Sequence, residues 1–211
     1  MHELIAVSGK YYPNKMGRIY LGALAEAVGD NGLNVLLNKT DLAQYIAKQP
    51  PDNWEREFDF AFIANLNQEL VVMYGPRGGR RLAVRSGRYF FDRGVKQLGM
   101  IAGLGDIAMR ALPLHTKLKM GLAALARIFS QFSDQHCRVE ESGSQYLFFV
   151  DVCPICWQQT AVQPMCHFTT GVLQAALDWF SGGLNFRIEQ VQCKAVGDEA
   201  CAFKIDKEPI K

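Results

Sequence analysis

The cysteines of this chain are concentrated towards one end, and this constrains the structure more than any other feature of the sequence. Five of the six lie between Cys153 and Cys201 in a chain of 211 residues. The sequence begins without a basic segment followed by a long apolar stretch, so we expect no export signal and a cytoplasmic protein. In a reducing compartment, clustered thiols more often indicate metal or redox chemistry than disulfide bonds. The five are Cys153, Cys156, Cys166, Cys193 and Cys201.

The composition narrows the class of protein further. Hydrophobic residues make up 49% and charged residues 21% of the chain, which is typical of a globular protein. The formal net charge of +2 is too small to indicate nucleic acid or an acidic membrane as a partner. The sequence contains no run of about 18 apolar residues, so we predict no transmembrane segment.

Hydrophobic periodicity predicts an α+β fold. A helical N-terminal part, residues 1–135, is expected to pack on a small antiparallel sheet in a cysteine-marked module, residues 136–211, the two forming one compact domain. Asn14 is predicted to cap the first helix, and GPRGGRR at 75–81 is predicted to be a turn. The predicted helices are 14–29, 33–48, 58–74, three pieces within 85–132, and 165–180; the predicted strands are 137–141, 146–152, 184–193 and 202–205.

Three fragments of the C-terminal module form an ordered cysteine pattern. They are DVCPIC at 151–156, PMCHFTTG at 164–171 and VQCKAVGDEACAF at 191–203. This pattern resembles the 4-vinyl reductase (4VR) domain family over about a third of the chain. Upstream, GRIYLGALAEAVGDNG and MYGPRGGRRLAVRSGRYFF are similar to the helical half that often precedes this domain. The favoured assignment is the branch associated with bacteriochlorophyll synthesis.

The resemblance implies both a fold and a metal site. The family shares the fold of nitric-oxide-signalling and Golgi-transport ligand-binding domains, and its members bind small hydrophobic molecules. Cys166, Cys193 and Cys201 match the zinc thiolates of family sensors, whose fourth ligand is a glutamate at the position of Gln190. Glu189 would face the same side of a regular strand as Cys193, so it is predicted to be the fourth ligand.

Two alternatives to that metal site stay open at this point. Cys153 or Cys156 could replace Glu189 in a structural zinc site, or all five thiols could simply pack a hydrophobic core. A redox role for the pair Cys153 and Cys156 would require a strand-to-helix junction with the first thiol exposed. The resemblance explains this pair without redox chemistry.

A basic stretch with neighbouring aromatic residues is the candidate ligand site. Guanidinium groups suit a carboxylate such as a tetrapyrrole propionate, and aromatic side chains can form the walls of an apolar pocket. The alternative is an ordinary solvated surface above a hydrophobic core. The predicted ligand-binding residues are Arg85, Arg88, Tyr89, Phe90, Trp157, His167 and Phe168.

Motifs for autonomous catalysis are not found in the sequence. The segment Gly103 to Ala108 fits G-x-G-x-x-A, but no acidic residue follows at the spacing that a dinucleotide site requires. We find no nicotinamide or flavin motif, so an autonomous enzyme is not the favoured interpretation.

Three functional hypotheses follow. The favoured one is a carrier of a hydrophobic ligand, with a tetrapyrrole chlorophyll precursor as the candidate. The first alternative is an 8-vinyl or 4-vinyl reductase, or a subunit of one, that borrows its electron donor. The second is a dimeric adaptor like the Golgi-transport proteins. The apolar face between Met16 and Val28 favours a homodimer in each case.

Overall fold

The computed structural model describes residues 4–96 and 112–210, and these form the predicted α+β fold. Helices surround a four-stranded antiparallel sheet, and a two-stranded sheet closes the N-terminal end. The helices are α1 (Asn14–Val28), α2 (Asp30–Lys39), α3 (Gln44–Ala47), α4 (Phe60–Phe90), α5 (Leu114–Phe132) and α6 (His167–Ser181), with a π-helical turn at Phe91–Val95. The strands are β1 (Tyr11–Pro13), β2 (Arg56–Asp59), β3 (Cys137–Ser142), β4 (Gln145–Val150), β5 (Phe186–Gln192) and β6 (Cys201–Pro209).

The larger sheet has the strand order β3-β4-β6-β5, with every neighbouring pair antiparallel. Its sequence alternates as a half-buried sheet should: Tyr146, Phe148 and Val150 point into the core from β4. In β6, Phe203 lies opposite Phe148, and Cys201 lies opposite Val150. This register places one cysteine at the end of the sheet where β4 leaves it.

Helix α4 bends at Gly75, where the sequence predicted a longer turn. Gly75 has φ 73° and ψ 166°, a conformation that L side chains rarely adopt. Pro76 follows at the first position of the resumed helix, where its missing N–H costs nothing. The prediction of a turn over 75–81 was therefore wrong beyond Gly75. The arginines of this segment lie on a helix surface.

The ends of two other helices also differ from the sequence prediction. Asn14 is the first residue of α1 and not its cap: its side-chain amide donates to Glu57 Oε2 at 2.7 Å. Asp59, predicted within a helix, ends β2 and caps α4, since its carboxylate accepts from Ala61 N at 2.7 Å. The same carboxylate also accepts from Ser8 N at 3.0 Å, which fixes the N-terminal segment.

Helices α4 and α6 cross very closely. A Cβ placed on Gly87 would lie 2.0 Å from the carbonyl oxygen of Phe168, and one on Gly171 would lie 2.0 Å from that of Val84. Glycine is therefore required on both helices. The close approach brings Phe90 and Phe168 to a ring-centroid distance of 5.3 Å in an edge-to-face contact.

The hydrophobic core is continuous between the helical part and the sheet. It extends through the described residues from Tyr12 on β1 to Ile205 on β6. The G-x-G-x-x-A segment at 103–108 lies outside the described residues, as does part of the predicted helical stretch 85–132. Among the described helices, none combines the length and apolar character needed to cross a membrane.

Candidate metal centre and adjoining groove

The five clustered cysteines of the sequence meet at one end of the larger sheet. Cys153 and Cys156 lie in the turn that follows β4, and Cys166 immediately precedes α6. Cys193 follows β5, and Cys201 is the first residue of β6. All five are at most 2% exposed. The sixth, Cys137, lies apart on β3.

Four of these sulfur atoms are arranged as ligands of a single ion would be. The Sγ atoms of Cys153, Cys156, Cys166 and Cys201 all lie within 4.8 Å of one another. Cys156 Sγ is 3.4 Å from Cys201 Sγ, and Cys166 Sγ is 3.7 Å from Cys201 Sγ. A tetrahedron with zinc–sulfur bonds of about 2.3 Å has sulfur–sulfur edges of about 3.8 Å. The four thiols therefore fit one tetrahedral ion, and they are too close to hold the several irons of a cluster.

Cys193 provides a fifth thiol at the edge of this group. Its Sγ lies 3.8 Å from Cys166 Sγ. Hydrogen bonds with Cys156 and then Cys166 lower its pKa to about 7. Hydrogen bonds from Cys153, Cys156 and the other thiols lower the pKa of Cys201 as well. The cluster therefore favours thiolate at these two positions, which is the form that binds a metal.

Two polar side chains hold the backbone around the thiols. Gln190 Oε1 accepts a hydrogen bond from the N–H of Cys166 at 2.9 Å. Asp198 Oδ2 accepts from the N–H of Cys193 at 2.7 Å, and Gly197 just before it has φ 106°. The sequence analysis missed both roles. The Gly-Asp pair of the motif was a signal for the second, because a glycine with positive φ followed by aspartate is typical of a tight turn.

The structure places Glu189 away from the thiols. Its carboxylate lies 2.9 Å from Lys204 Nζ, and its side chain is about half exposed. The hydrogen bond and the charge of Lys204 lower the pKa of Glu189. The metal ligands predicted from the sequence were Cys166, Glu189, Cys193 and Cys201, whereas the four converging groups include Cys153 and Cys156 in place of Glu189 and Cys193.

The condition for a redox role of Cys153 and Cys156 is not met. Cys153 is 2% exposed, and the segment after Cys156 forms a turn and not a helix. A nucleophilic thiol of this type must be accessible. The pair instead contributes two of the four converging sulfur atoms.

Five of the seven predicted ligand-binding residues lie on or against α4. Arg85 Nη2 donates to the hydroxyl of Tyr89 at 3.1 Å, and Arg88 Nε donates to Gln174 Oε1 at 3.0 Å. Phe90 and Phe168 belong to the buried aromatic core. These residues therefore divide between an exposed helix surface and the interior.

The other two, Trp157 and His167, lie close to the metal centre in the chain. Trp157 packs edge-on against Phe60, and its indole Nε1 is buried without a hydrogen-bond acceptor among the described residues. His167 follows Cys166 and lines a surface groove. Burial and the nearby charge of Arg80 lower its pKa to about 4, so His167 is a neutral imidazole at pH 7.

The interior between the helices and the sheet leaves little room for a ligand. A cavity of about 20 Å³ lies beside Tyr12, Phe148 and Phe168. That volume is enough for about one water molecule. In the described state, aromatic side chains fill this interface.

A much larger groove, of about 460 Å³, lies between α4 and the segment from Gln159 to Met165. We refer to this site as the α4 groove. Its volume lies within the range of small-molecule binding sites. Both ends of the segment that forms its outer wall are anchored at the metal centre, by Cys156 and Cys166. The lining residues on α4 are Gln68, Val71, Val72, Pro76, Arg77 and Arg80.

Comparison with known structures defines the class of fold. An H-NOX protein from S. oneidensis in the Fe(II)NO state superposes with a TM-score of 0.57 at 13% identity, covering 94% of this chain and 99% of that one. Fe(II) unliganded H-NOX from K. algicida gives 0.57 at 12% identity, with coverage of 94% and 97%. A structure described as probing heme distortion in the H-NOX family gives 0.54 at 11% identity, with coverage of 95% and 97%. The chain therefore has the fold of H-NOX domains.

The family assignment follows from the C-terminal module. Residues 147–207 match the family model of the 4-vinyl reductase (4VR) domain, so this chain contains a 4VR domain. The match covers the converging cysteines and the outer wall of the α4 groove. It confirms the resemblance seen in the cysteine pattern, and the superpositions confirm the shared fold with nitric-oxide-signalling domains. No curated protein matches the sequence.

Proposed function

We propose that this protein is a binding protein for a hydrophobic small molecule, with a structural zinc ion that braces the ligand site. The observation that carries the proposal is the position of the α4 groove. Its outer wall is a short segment whose two ends, Cys156 and Cys166, both belong to the four converging thiols. An ion held there would fix the wall of the site.

Zinc is the ion that this donor set fits best. Four thiolates at tetrahedral spacing, all buried, are typical of a closed structural site. Gln190 and Asp198 hold the backbone of two cysteines from outside the sulfur group, as supporting residues do in metal sites. When bound, zinc would supply cross-linking between the turn after β4, the start of α6 and the start of β6. It would leave no open position for substrate.

The α4 groove supplies the chemistry for an apolar ligand. Val71, Val72 and Met165 line it, and the side chain of Val72 is 59% exposed. Burial of apolar ligand surface against such residues is favourable by about 25 cal/mol per Å². The interior cavity of about 20 Å³ offers no comparable space. The groove is therefore the proposed ligand site.

A tetrapyrrole is the proposed ligand class. Support comes from the fold, since one of the structural relatives is described in terms of heme and others in terms of Fe(II). The match to the 4VR domain model supports the same class, because the family is named for a vinyl reductase. We propose that the protein carries the pigment without turning it over.

The test is a titration of the zinc-loaded protein with a divinyl magnesium tetrapyrrole, without reductant, followed by visible absorption. A saturable band shift at low micromolar ligand is expected. Val72→Trp should abolish the shift by filling the groove, whereas Val35→Trp, at an exposed helical valine on α2, should not. Absence of a shift in the wild-type protein would exclude the pigment. Addition of a reductant to the complex then tests the reductase alternative, which requires loss of the vinyl absorption signature.

A further inference from the structure

The polar lining of the α4 groove is entirely basic or neutral. Arg77 and Arg80 project from α4 at one end, and His167 lies on the opposite wall. No aspartate or glutamate is present among the described residues that line the groove. The remaining polar residues are the neutral Gln68, Gln159, Thr160 and Gln163.

The arginines at this end have no counter-charge of their own. Within residues 4–96 and 112–210, no carboxylate forms an ion pair with Arg77, Arg80 or Arg81. Arg80 and Arg81 follow Arg77 at spacings of three and four residues, which places all three on one side of the helix. Like charges at these spacings destabilise a helix, so an anion that binds between them would stabilise the arrangement.

A second depression continues the basic end of the groove. It is lined by Arg77, Arg80, Arg81 and Val84, so it shares its first two residues with the α4 groove. The apolar residues Val71, Val72 and Met165 lie towards the other part of the groove. The site is therefore divided into an apolar part and a cationic part.

We infer that the ligand of the α4 groove is an amphipathic organic anion, whose apolar body lies on Val71, Val72 and Met165 and whose anionic head group is held by Arg77 and Arg80. This inference rests on the proposed function and adds the chemical class of the ligand. Guanidinium groups bind carboxylate and phosphate oxygens in a bidentate manner, so both head groups share the required chemistry.

The test uses simple probes that differ in the head group alone. Decanoate, decyl phosphate and decanol are titrated calorimetrically into the full-length, zinc-loaded protein below their aggregation concentrations. We expect at least one anionic probe to bind roughly tenfold or more tighter than decanol, as paired guanidinium contacts should give. Comparison of decanoate with decyl phosphate then identifies the head group. The preference should fall as the salt concentration rises, because the arginines are exposed.

The double variant Arg77→Gln/Arg80→Gln should remove most of the preference for the anion and leave the binding of decanol unchanged. Arg127→Gln, at an exposed arginine of α5, is the matched control and should retain the preference. Equal binding of anion and alcohol by the wild-type protein would overturn the inference and leave the apolar groove intact. Absence of binding by all three probes would also overturn it, and the tetrapyrrole titration then decides the proposed function separately.

Discussion

The sulfur atoms of Cys156 and Cys201 lie 3.4 Å apart, although 45 residues separate them in the chain. Cys156 belongs to the turn after β4, and Cys201 begins β6, the neighbour of β4 in the sheet. The antiparallel register that pairs Val150 with Cys201 makes the contact possible. One strand pairing therefore joins the Cys-x2-Cys segment to the cysteine that ends the hairpin motif.

The first prediction concerns which thiols hold the metal. Replacing Cys156 or Cys201 with serine should reduce bound zinc from about one ion per chain to near zero, because a four-thiolate site needs all its ligands. Cys193→Ser should retain the ion, since Cys193 lies outside the four converging groups. The measurement is zinc content by elemental analysis after dialysis.

The matched control for these variants is Cys137→Ser, which removes a cysteine that lies on β3. Loss of zinc in Cys193→Ser together with its retention in Cys153→Ser would contradict the four-cysteine site. That result would favour the three thiolates implied by the family resemblance.

The second prediction concerns the outer wall of the α4 groove. Removal of zinc by a chelator should make the segment from Gln158 to Pro164 much more sensitive to elastase, which cleaves after small aliphatic residues such as Val162. The reason is that the metal would anchor both Cys156 and Cys166, whereas Val162 itself is 95% exposed. Mass spectrometry of the fragments locates the cut. An unchanged rate of cleavage after confirmed loss of the ion would show that zinc does not brace this wall.

The third prediction concerns the crossing of α4 and α6. Gly87→Ala and Gly171→Ala should each destabilise the protein by about 3 kcal/mol or more, because the new methyl group meets a backbone carbonyl that cannot turn aside. Gly22→Ala, in α1 with open space around its Cβ position, should stabilise by about 0.5–1 kcal/mol. Urea denaturation measures all three. Equal effects at the three positions would be inconsistent with the close crossing.

The fourth prediction concerns acid stability. Glu141 bridges Lys119 of α5 at 2.7 Å and Lys207 of β6 at 2.6 Å. Hydrogen bonds from these two lysines lower its pKa from 4.5 to about 2. A depressed carboxyl pKa stabilises the fold above the unfolded-state value, and that stabilisation disappears as the pH falls through the folded-state value.

Glu141→Gln should therefore lower the Tm at pH 7, and its difference from the wild type should shrink between about pH 4.5 and pH 2. Thermal denaturation across this interval is the measurement. Asp178→Asn, which changes the same charge on the surface of α6, serves as the control. A constant difference from pH 7 to pH 2 would mean that the two lysine contacts contribute nothing in solution.

Local patterns were sufficient to predict many of the elements of this fold. Alternation in Tyr146 to Val150 predicted β4, and the helical spacing from Met16 to Val28 predicted α1, because each pattern reports a face buried by its own element. The ends of the elements were less predictable. Asn14 and Asp59 each have side chains suited to capping, and which of them caps a helix depends on partners elsewhere in the chain.

The sequence by itself determined that the protein is an α+β globular domain with a 4VR module and a thiol-rich centre, since periodicity and cysteine spacing are local properties. The tertiary structure decided which thiols converge: the pairing of β4 with β6 brings Cys156 to Cys201, and the ion pair of Glu189 with Lys204 keeps that carboxylate at the surface. It also decided the groove, because Gly75 bends α4 and the helix resumes at Pro76. Distances between groups far apart in the chain depend on packing, and a linear pattern does not contain them.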